Sequence, residues 1–380
     1  MSRFADLREA DYALPDELLA RTLSPALVVD LDRVRENVRR VVAYAGGTDR
    51  WRPHVKTTKI PEVWGELARA GLERFKCATT READVLAEVL ERECFDRSDV
   101  LVAYPLVGPA LERLARIARA HPGVRFSVLC EDPSAVDSID AGLGIFVDVN
   151  PGMNRTGIPL AERDRILGVA RHAAERFRGV HYYDGHLHEA DLESRRREIF
   201  ACYDALLELR AELLEGGCTV DELITSGTPS FLHALAYPGF ESTNHRVSPG
   251  TVVFHDLRSE EENPDLDLVP AAVVLARVVS HPTADIVTCD AGSKALAAEA
   301  GDPCAFVLGH PELVASTPNE EHLPLHVTRG EQPARGTPLY LVPRHVCPTI
   351  NLAEEAVLLE HGSEPRVVRV SARAHELALA

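Results

Sequence analysis

The sequence predicts an α/β protein: a (β/α)8, TIM-like barrel followed by a second, mainly β domain. From residue 25 to about 255, short apolar runs alternate with amphipathic helical patterns, and eight such runs match the strand count of a (β/α)8 barrel. Beyond 255 the texture changes to short Val-, Ile- and Leu-rich runs separated by Gly, Pro and charged turns. At 380 residues the chain is too long for one compact core and fits two domains. An open doubly wound sheet is the competing architecture, and the barrel is preferred.

In chain order, the strand-like runs are 26–31, 53–56, 75–78, 100–104, 124–129, 145–149, 180–183 and 223–226. Helical patterns lie between them. In 32–44, Val34, Val38, Val41 and Val42 share one face, and 80–91 opens with a Thr and an early Glu in the manner of a capped N-terminus. The later runs are 268–279, 285–289, 305–308, 323–327, 338–342, 356–359 and 366–370. The acidic stretch 258–267 reads as the linker. This places a barrel at 22–257 and a β domain at 258–380, joined by part of 1–21.

Hydrophobic residues make up 45% and charged residues 26%, as in an ordinary globular protein. A net charge of −18 argues against nucleic acid or an anionic membrane as partner, while leaving room for a small anionic substrate in a locally positive pocket. No apolar run approaches membrane-spanning length, and residues 1–15 lack a basic-then-apolar leader pattern, so a cytoplasmic location is expected. The eight cysteines (Cys77, Cys94, Cys130, Cys202, Cys218, Cys289, Cys304 and Cys347) form no CxxC pair and read as reduced thiols. Cys347 has a further reading, given below.

Five segments could carry chemistry. In WRPHVKTTK (51–59), a short strand ends at a polar turn, and strict alternation would put His54 and Lys56 on one face at the barrel's C-terminal end. A desolvated lysine there suits Schiff-base chemistry. A surface lysine on an ordinary loop fits the same run. In DVNPGMNRTG (148–157), Arg155 sits between two turn glycines and could hold an anionic oxygen; a structural arginine tied to Asp148 is the alternative. HYYDGHLH (181–188) offers Tyr183 and His186 as acid–base or hydrogen-bonding candidates at a strand end. Its three histidines match no standard metal spacing.

TSGTPS (225–230) and SPGT (248–251) are Gly-Thr turns late in the barrel, where Ser226, Gly227, Thr228, Gly250 and Thr251 could present N–H groups and hydroxyls to a phosphate. Each alone is also what a capped loop looks like. In PRHVCPTIN (343–351), an extended backbone would project His345 and Cys347 to one side, and imidazole plus thiolate suits Zn²⁺. In isolation, a buried Cys beside a surface His explains that pair better.

Taken together, HVKT near the second strand, YDGH at 183–186, GTPS at 227–230 and HVCPT at 345–349 resemble one family. This is the fold-type III pyridoxal-phosphate (PLP) enzymes of the D-threonine aldolase and D-serine dehydratase group, with an alanine racemase-like barrel. The resemblance runs from about Leu23 to Glu360. It implies that Lys56 is the Schiff-base lysine and Cα base. Arg155 would bond the cofactor's phenolic oxygen, Tyr183 would lie against its ring, and Thr228, Gly250 and Thr251 would hold its phosphate. His345 and Cys347 would ligate a divalent metal near the substrate's β-hydroxyl. It further implies a homodimer in which the β domain faces the partner's barrel mouth.

Two departures stand out. Thr58 occupies a position where many members carry His. Cys347 replaces the Asp of some members and favours Zn²⁺ over Mn²⁺ or Mg²⁺. The implied substrate is a β-hydroxy-D-amino acid. Retro-aldol cleavage to glycine and an aldehyde is the leading reaction, and dehydration to a 2-oxo acid and ammonia is the second. An amino-acid racemase comes third, since it needs no metal pair. A non-catalytic PLP carrier would be a lone barrel. A metal-dependent hydrolase would leave Lys56 and the Gly-Thr turns without a joint role.

Overall fold

The structure is a computed structural model that describes residues 3–93, 98–187 and 191–377. Cys94 and His188 lie outside the described residues. The chain forms two compact units. One comprises the segment up to Arg40, Thr57–Val63 and Thr251–Arg373; the other comprises Val41–Lys56, Trp64–Gly250 and the C-terminal residues from Ala374.

The second unit is the barrel. Among the described residues its strands Arg74–Cys77, Ser98–Val102, Val124–Cys130, Gly144–Asn150, Phe177–Tyr182, Glu222–Thr225 and His245–Val247 pair in that order, all parallel. Residues 51–54 close the ring through parallel bridges from Trp51 to Val247 and from His54 to Lys76. Arg52 N–H donates to Val247 O at 2.9 Å, and Lys76 N–H donates to Pro53 O at 2.9 Å. The connecting helices include Thr80–Arg92, whose Thr79 side chain accepts from Glu82 N while Glu82 Oε2 accepts from Ala78 N.

The barrel interior is tiered. At the N-terminal strand ends, fully buried Arg52 bonds Glu222 at 2.7 and 2.9 Å and Asp99 at 2.8 Å, with Arg246 3.2 Å from Glu222. Above it Leu101, Leu129, Phe146 and Ile224 form an apolar layer. Buried Lys76, Asp148 and His181 occupy the C-terminal level. Gly179 is required where two strands touch, since a Cβ there would lie 1.9 Å from Glu222 O.

The other unit is a nine-stranded sheet among the described residues. Its middle is Ala272–Thr283 beside Ala26–Asp30, which pairs antiparallel with it and parallel with Glu355–Leu359. Phe4, Tyr12 and Leu14 join its core with Val28, Val273, Leu275, Tyr340 and Val342, and Leu14 N–H donates to Tyr340 Oη at 2.9 Å.

Several expectations change. The run 26–31 is not a barrel strand: Leu27, Val28 and Val29 are all buried, a pattern that central strands of either sheet share. The eighth barrel strand is instead His245–Val247, too short to register as a run. Residues 53–56 do not form a strand through Lys56, because the chain turns into a 3-10 helix at Val55–Thr57. His54 and Lys56 therefore do not share a strand face. The expected linker holds the helix Leu257–Glu262, whose first turn Asp256 caps by accepting from Ser259 N at 2.8 Å. A further strand, Leu313–Ala315, lies in the β unit. No described helix is long and apolar enough to cross a membrane.

Candidate cofactor and metal sites

The barrel unit gathers most of the expected residues at the C-terminal ends of its strands. Lys56 is exposed on its 3-10 turn, with its N–H 3.4 Å from His54 Nδ1. Arg155 follows a loop shaped by Asn150, whose Oδ1 accepts from the N–H groups of Gly152 and Asn154. The Arg155 guanidinium stacks over Tyr183, 4.8 Å from the ring centroid, rather than pairing with Asp148. His186 packs against the Gly152 turn, where an added Cβ would lie 3.2 Å from its Nε2.

Glycine backbone walls the Tyr183 ring. A Cβ on Gly185 would lie 2.4 Å from Tyr183 Cε1, and one on Gly227 would lie 3.0 Å from its Oη. The Gly227–Ser230 turn is fastened from below by fully buried Asp184. Tyr203 Oη donates to Asp184 at 2.5 Å, Ser230 Oγ donates to it at 2.7 Å, and Gly227 N–H reaches Ser230 Oγ at 3.3 Å. Burial pushes the Asp184 carboxyl above its usual range against those bonds. Ser226 has φ +61°, and its buried Oγ has no hydrogen-bond partner among the described residues. Thr228 is buried. The turn ending at Gly250 is tied to the closing strand by Trp51 Nε1 to Pro249 O (3.0 Å) and Ser248 Oγ to Arg52 O (2.8 Å).

Three residues of this site escaped the sequence reading as a group. Asp148 Oδ1 accepts from His181 Nδ1 at 2.7 Å, and His181 Nε2 lies 3.2 Å from Lys76 Nζ. Lys76 Nζ is 5.6 Å from the Tyr183 ring centroid. Burial first, then the charge of Lys56, lowers the Lys76 pKa to about 7, with Asp148 opposing. Burial and then the Lys76 charge lower that of His181. Burial alone would raise Asp148, but the His181 hydrogen bond holds it below its ordinary value. The available signal was a lysine placed between buried Phe75 and Cys77 in a parallel strand, which alternation turns toward the barrel interior.

This arrangement fits a flat anionic group such as PLP. The charges of Lys56 and Arg155 both act against a proton on Lys76, Tyr183 offers an aromatic face, and the Ser226 hydroxyl has no partner among the described residues.

In the other unit, the expected metal pair does not lie on an extended segment. His345 is the N-cap of the helix Val346–Leu352, and Cys347 lies in its first turn. The two side chains nevertheless interact. Thr57 Oγ1 is 3.2 Å and Thr251 Oγ1 3.4 Å from Cys347 Sγ, so the Thr251 hydroxyl faces sulfur. Burial would raise the Cys347 thiol, but its hydrogen bond to His345 holds it below the ordinary value. Burial would lower His345, but the bonds to Cys347 and Glu299 raise it to about 9. Among the described residues, no group of three or more His, Cys, Asp or Glu side chains assembles to hold a metal ion. His345 and Cys347 would therefore be two protein donors, with the remaining positions left to water or substrate. A thiolate and an imidazole are donors that suit zinc.

Residues 29–257 match the family model described as alanine racemase, N-terminal domain, and residues 271–359 match the putative serine dehydratase domain. The chain is 30% identical over 375 residues to a D-threonine aldolase of Arthrobacter sp., covering 95% of both chains. It is 27% identical over 388 residues to a 3-hydroxy-D-aspartate aldolase of Paracoccus denitrificans, covering 95% of both. Its structure is similar to that of a D-threonine aldolase from Filomicrobium marinum, with a TM-score of 0.82 at 25% identity over 93% of this chain and 96% of that one.

Proposed function

From the premise that this chain belongs to the alanine racemase-like family, among relatives that are D-threonine aldolases, we propose that it is a PLP- and divalent-metal-dependent lyase cleaving β-hydroxy-D-amino acids by retro-aldol reaction. The observation that carries this reading is the set formed by Lys56, Arg155 and the glycine-walled Tyr183 ring at the barrel's strand ends, in a chain related to an aldolase over 95% of its length.

When bound, PLP supplies an electron sink for the pair left on Cα, and a divalent metal supplies a Lewis acid for the β-hydroxyl. The protein's own groups do the rest. The Lys56 amine would hold the cofactor. Arg155 orients the phenolic oxygen, and Tyr183 sets the plane of the ring. The N–H groups of the Gly227–Thr228 turn and of Gly250 would receive the phosphate. His345 and Cys347 would hold the metal. In the cleavage, the hydroxyl proton would pass to a base, the Cα–Cβ bond would break with its pair left on Cα, and Cα would then take up a proton, giving glycine and an aldehyde. His54 and His186 are the candidate bases from this chain.

A second reading is dehydration to a 2-oxo acid and ammonia. It is favoured by the match of residues 271–359 to a putative serine dehydratase domain. In that case Lys56 removes the Cα proton and the β-hydroxyl leaves.

Incubation of the PLP- and zinc-loaded protein with D-threonine and D-serine separates the two. Acetaldehyde with glycine marks the aldolase, and 2-oxobutyrate or pyruvate with ammonia marks the dehydratase. Lys56→Ala is expected to lose the visible absorbance of the bound cofactor; an unchanged band in that variant refutes the lysine assignment.

A further inference from the structure

The metal reading leaves one question open within the β unit: what decides which imidazole nitrogen of His345 faces a metal. A histidine binds a metal through a nitrogen lone pair, and the partner of its other nitrogen fixes the tautomer and ring direction. His345 Nδ1 is hydrogen-bonded to Glu299 Oε1. A carboxylate only accepts, so Nδ1 carries the proton it donates, and Nε2 is the nitrogen left to give up its proton and offer a lone pair to a metal.

Glu299 is 46 positions from His345 in the chain, and its approach is built rather than incidental. Fully buried Thr349 joins the two segments. Its Oγ1 accepts from Ala297 N–H at 3.1 Å and donates to His345 O at 2.9 Å. The segment that delivers Glu299 is thereby stapled to the backbone of the residue it addresses. On the other side, buried Asp256 accepts from Val346 N–H at 2.9 Å, which fixes the peptide between the two donors. The hydroxyls of Thr57 and Thr251 hold the sulfur.

We infer that Glu299 is a positioning residue for the His345–Cys347 pair, holding His345 as the Nδ1–H tautomer so that Nε2 is the ligating atom. This rests on the reading of His345 and Cys347 as metal donors. Carboxylates that orient a ligating histidine are worth about 10–100-fold in metal affinity. The Glu299 side chain is 55% exposed, so removing it opens no cavity in the core.

The test is zinc affinity of the full-length, PLP-loaded protein, measured by competition with a chromophoric chelator, for wild type, Glu299→Ala, Glu299→Gln and Cys347→Ala. Glu299→Ala is expected to bind zinc about 10–100-fold more weakly. Glu299→Gln, which keeps an acceptor oxygen, should recover most of that loss. The urea midpoints of both variants should match wild type, which a purely structural role would not predict alongside weaker zinc binding. Wild type that takes up zinc while Glu299→Ala takes it up as tightly overturns the inference and leaves the metal pair standing. Wild type that takes up no zinc, or Cys347→Ala that binds it unchanged, overturns the metal reading itself and this inference with it.

Discussion

Lys76→Met changes how stability depends on pH in a way that can be worked out from the barrel interior. In the unfolded chain Lys76 keeps its proton up to about pH 10.5; in the folded protein burial and the Lys56 charge bring its pKa to about 7. Arg155 and Arg52 push the same way, Asp148 opposes, and His181 contacts the amine directly. Between those two pH values the unfolded state binds more protons, so stability rises with pH; below about 7 both states are protonated and the cost of burying the ammonium is felt in full. The slope is ~1.4 kcal/mol per pH unit, and the whole window spans about 5 kcal/mol. Methionine has a similar length and no proton to lose. Urea unfolding of the cofactor-free wild type and variant across about pH 7–10 reads the effect as a difference, in which titrating groups that do not face Lys76 cancel. The variant should be the more stable protein near pH 7, and its advantage should shrink toward pH 10. Two parallel pH profiles would refute the assignment of Lys76 as a buried, largely neutral amine.

Three further outcomes follow from the same geometry. Arg52→Met leaves buried Glu222 and half-buried Asp99 without their guanidinium and should cost about 3 kcal/mol in urea unfolding, at the low end for a broken buried pair because Arg246 still faces Glu222; no loss would mean the cluster is solvated. Gly227→Ala forces a Cβ to 3.0 Å from Tyr183 Oη, and overpacking of about 1–3 kcal/mol should weaken PLP binding about 5–150-fold in a fluorescence titration, with unchanged affinity ruling out the Tyr183 wall. Asp184→Ala strips the Tyr203 and Ser230 hydroxyls of their acceptor, so about 1–3 kcal/mol of stability should be lost together with PLP affinity; loss of stability alone would separate this residue from the turn's function.

Much of this was legible in the residues. Alternating runs and helical faces gave most of the strands, and local motifs located Lys56, Arg155, Tyr183 and the Gly-Thr turns near strand ends, because turn chemistry is written locally. Sheet membership was not. Ala26–Asp30 is apolar on both faces, as a barrel strand would be, and only its distant partners place it elsewhere. The HVC segment looked extended because Val and Cys tolerate strands, yet His345 starts a helix and the side chains meet by a different geometry. The acidic 258–267 looked like a linker because a short helix with one cap has no apolar periodicity to reveal it. Lys76, His181 and Asp148 come from three strands, and Glu299 reaches His345 through a buried threonine. No spacing rule connects such residues, since their proximity is a property of the sheet and the staple.

The position of Ala26–Asp30 also bears on how the chain is made. This strand carries Leu27, Val28 and Val29 and needs Ala272–Thr283 and Glu355–Leu359 on its two edges. On the ribosome the first of those partners emerges roughly 250 residues later, a delay of about 10–50 s at typical elongation rates. For that interval a short hydrophobic strand waits with both edges unpaired while the barrel that follows it folds. The nascent chain is therefore most vulnerable to misassociation before the β unit can begin to form, and chaperone demand should track the translation speed of the barrel rather than of the sheet it precedes.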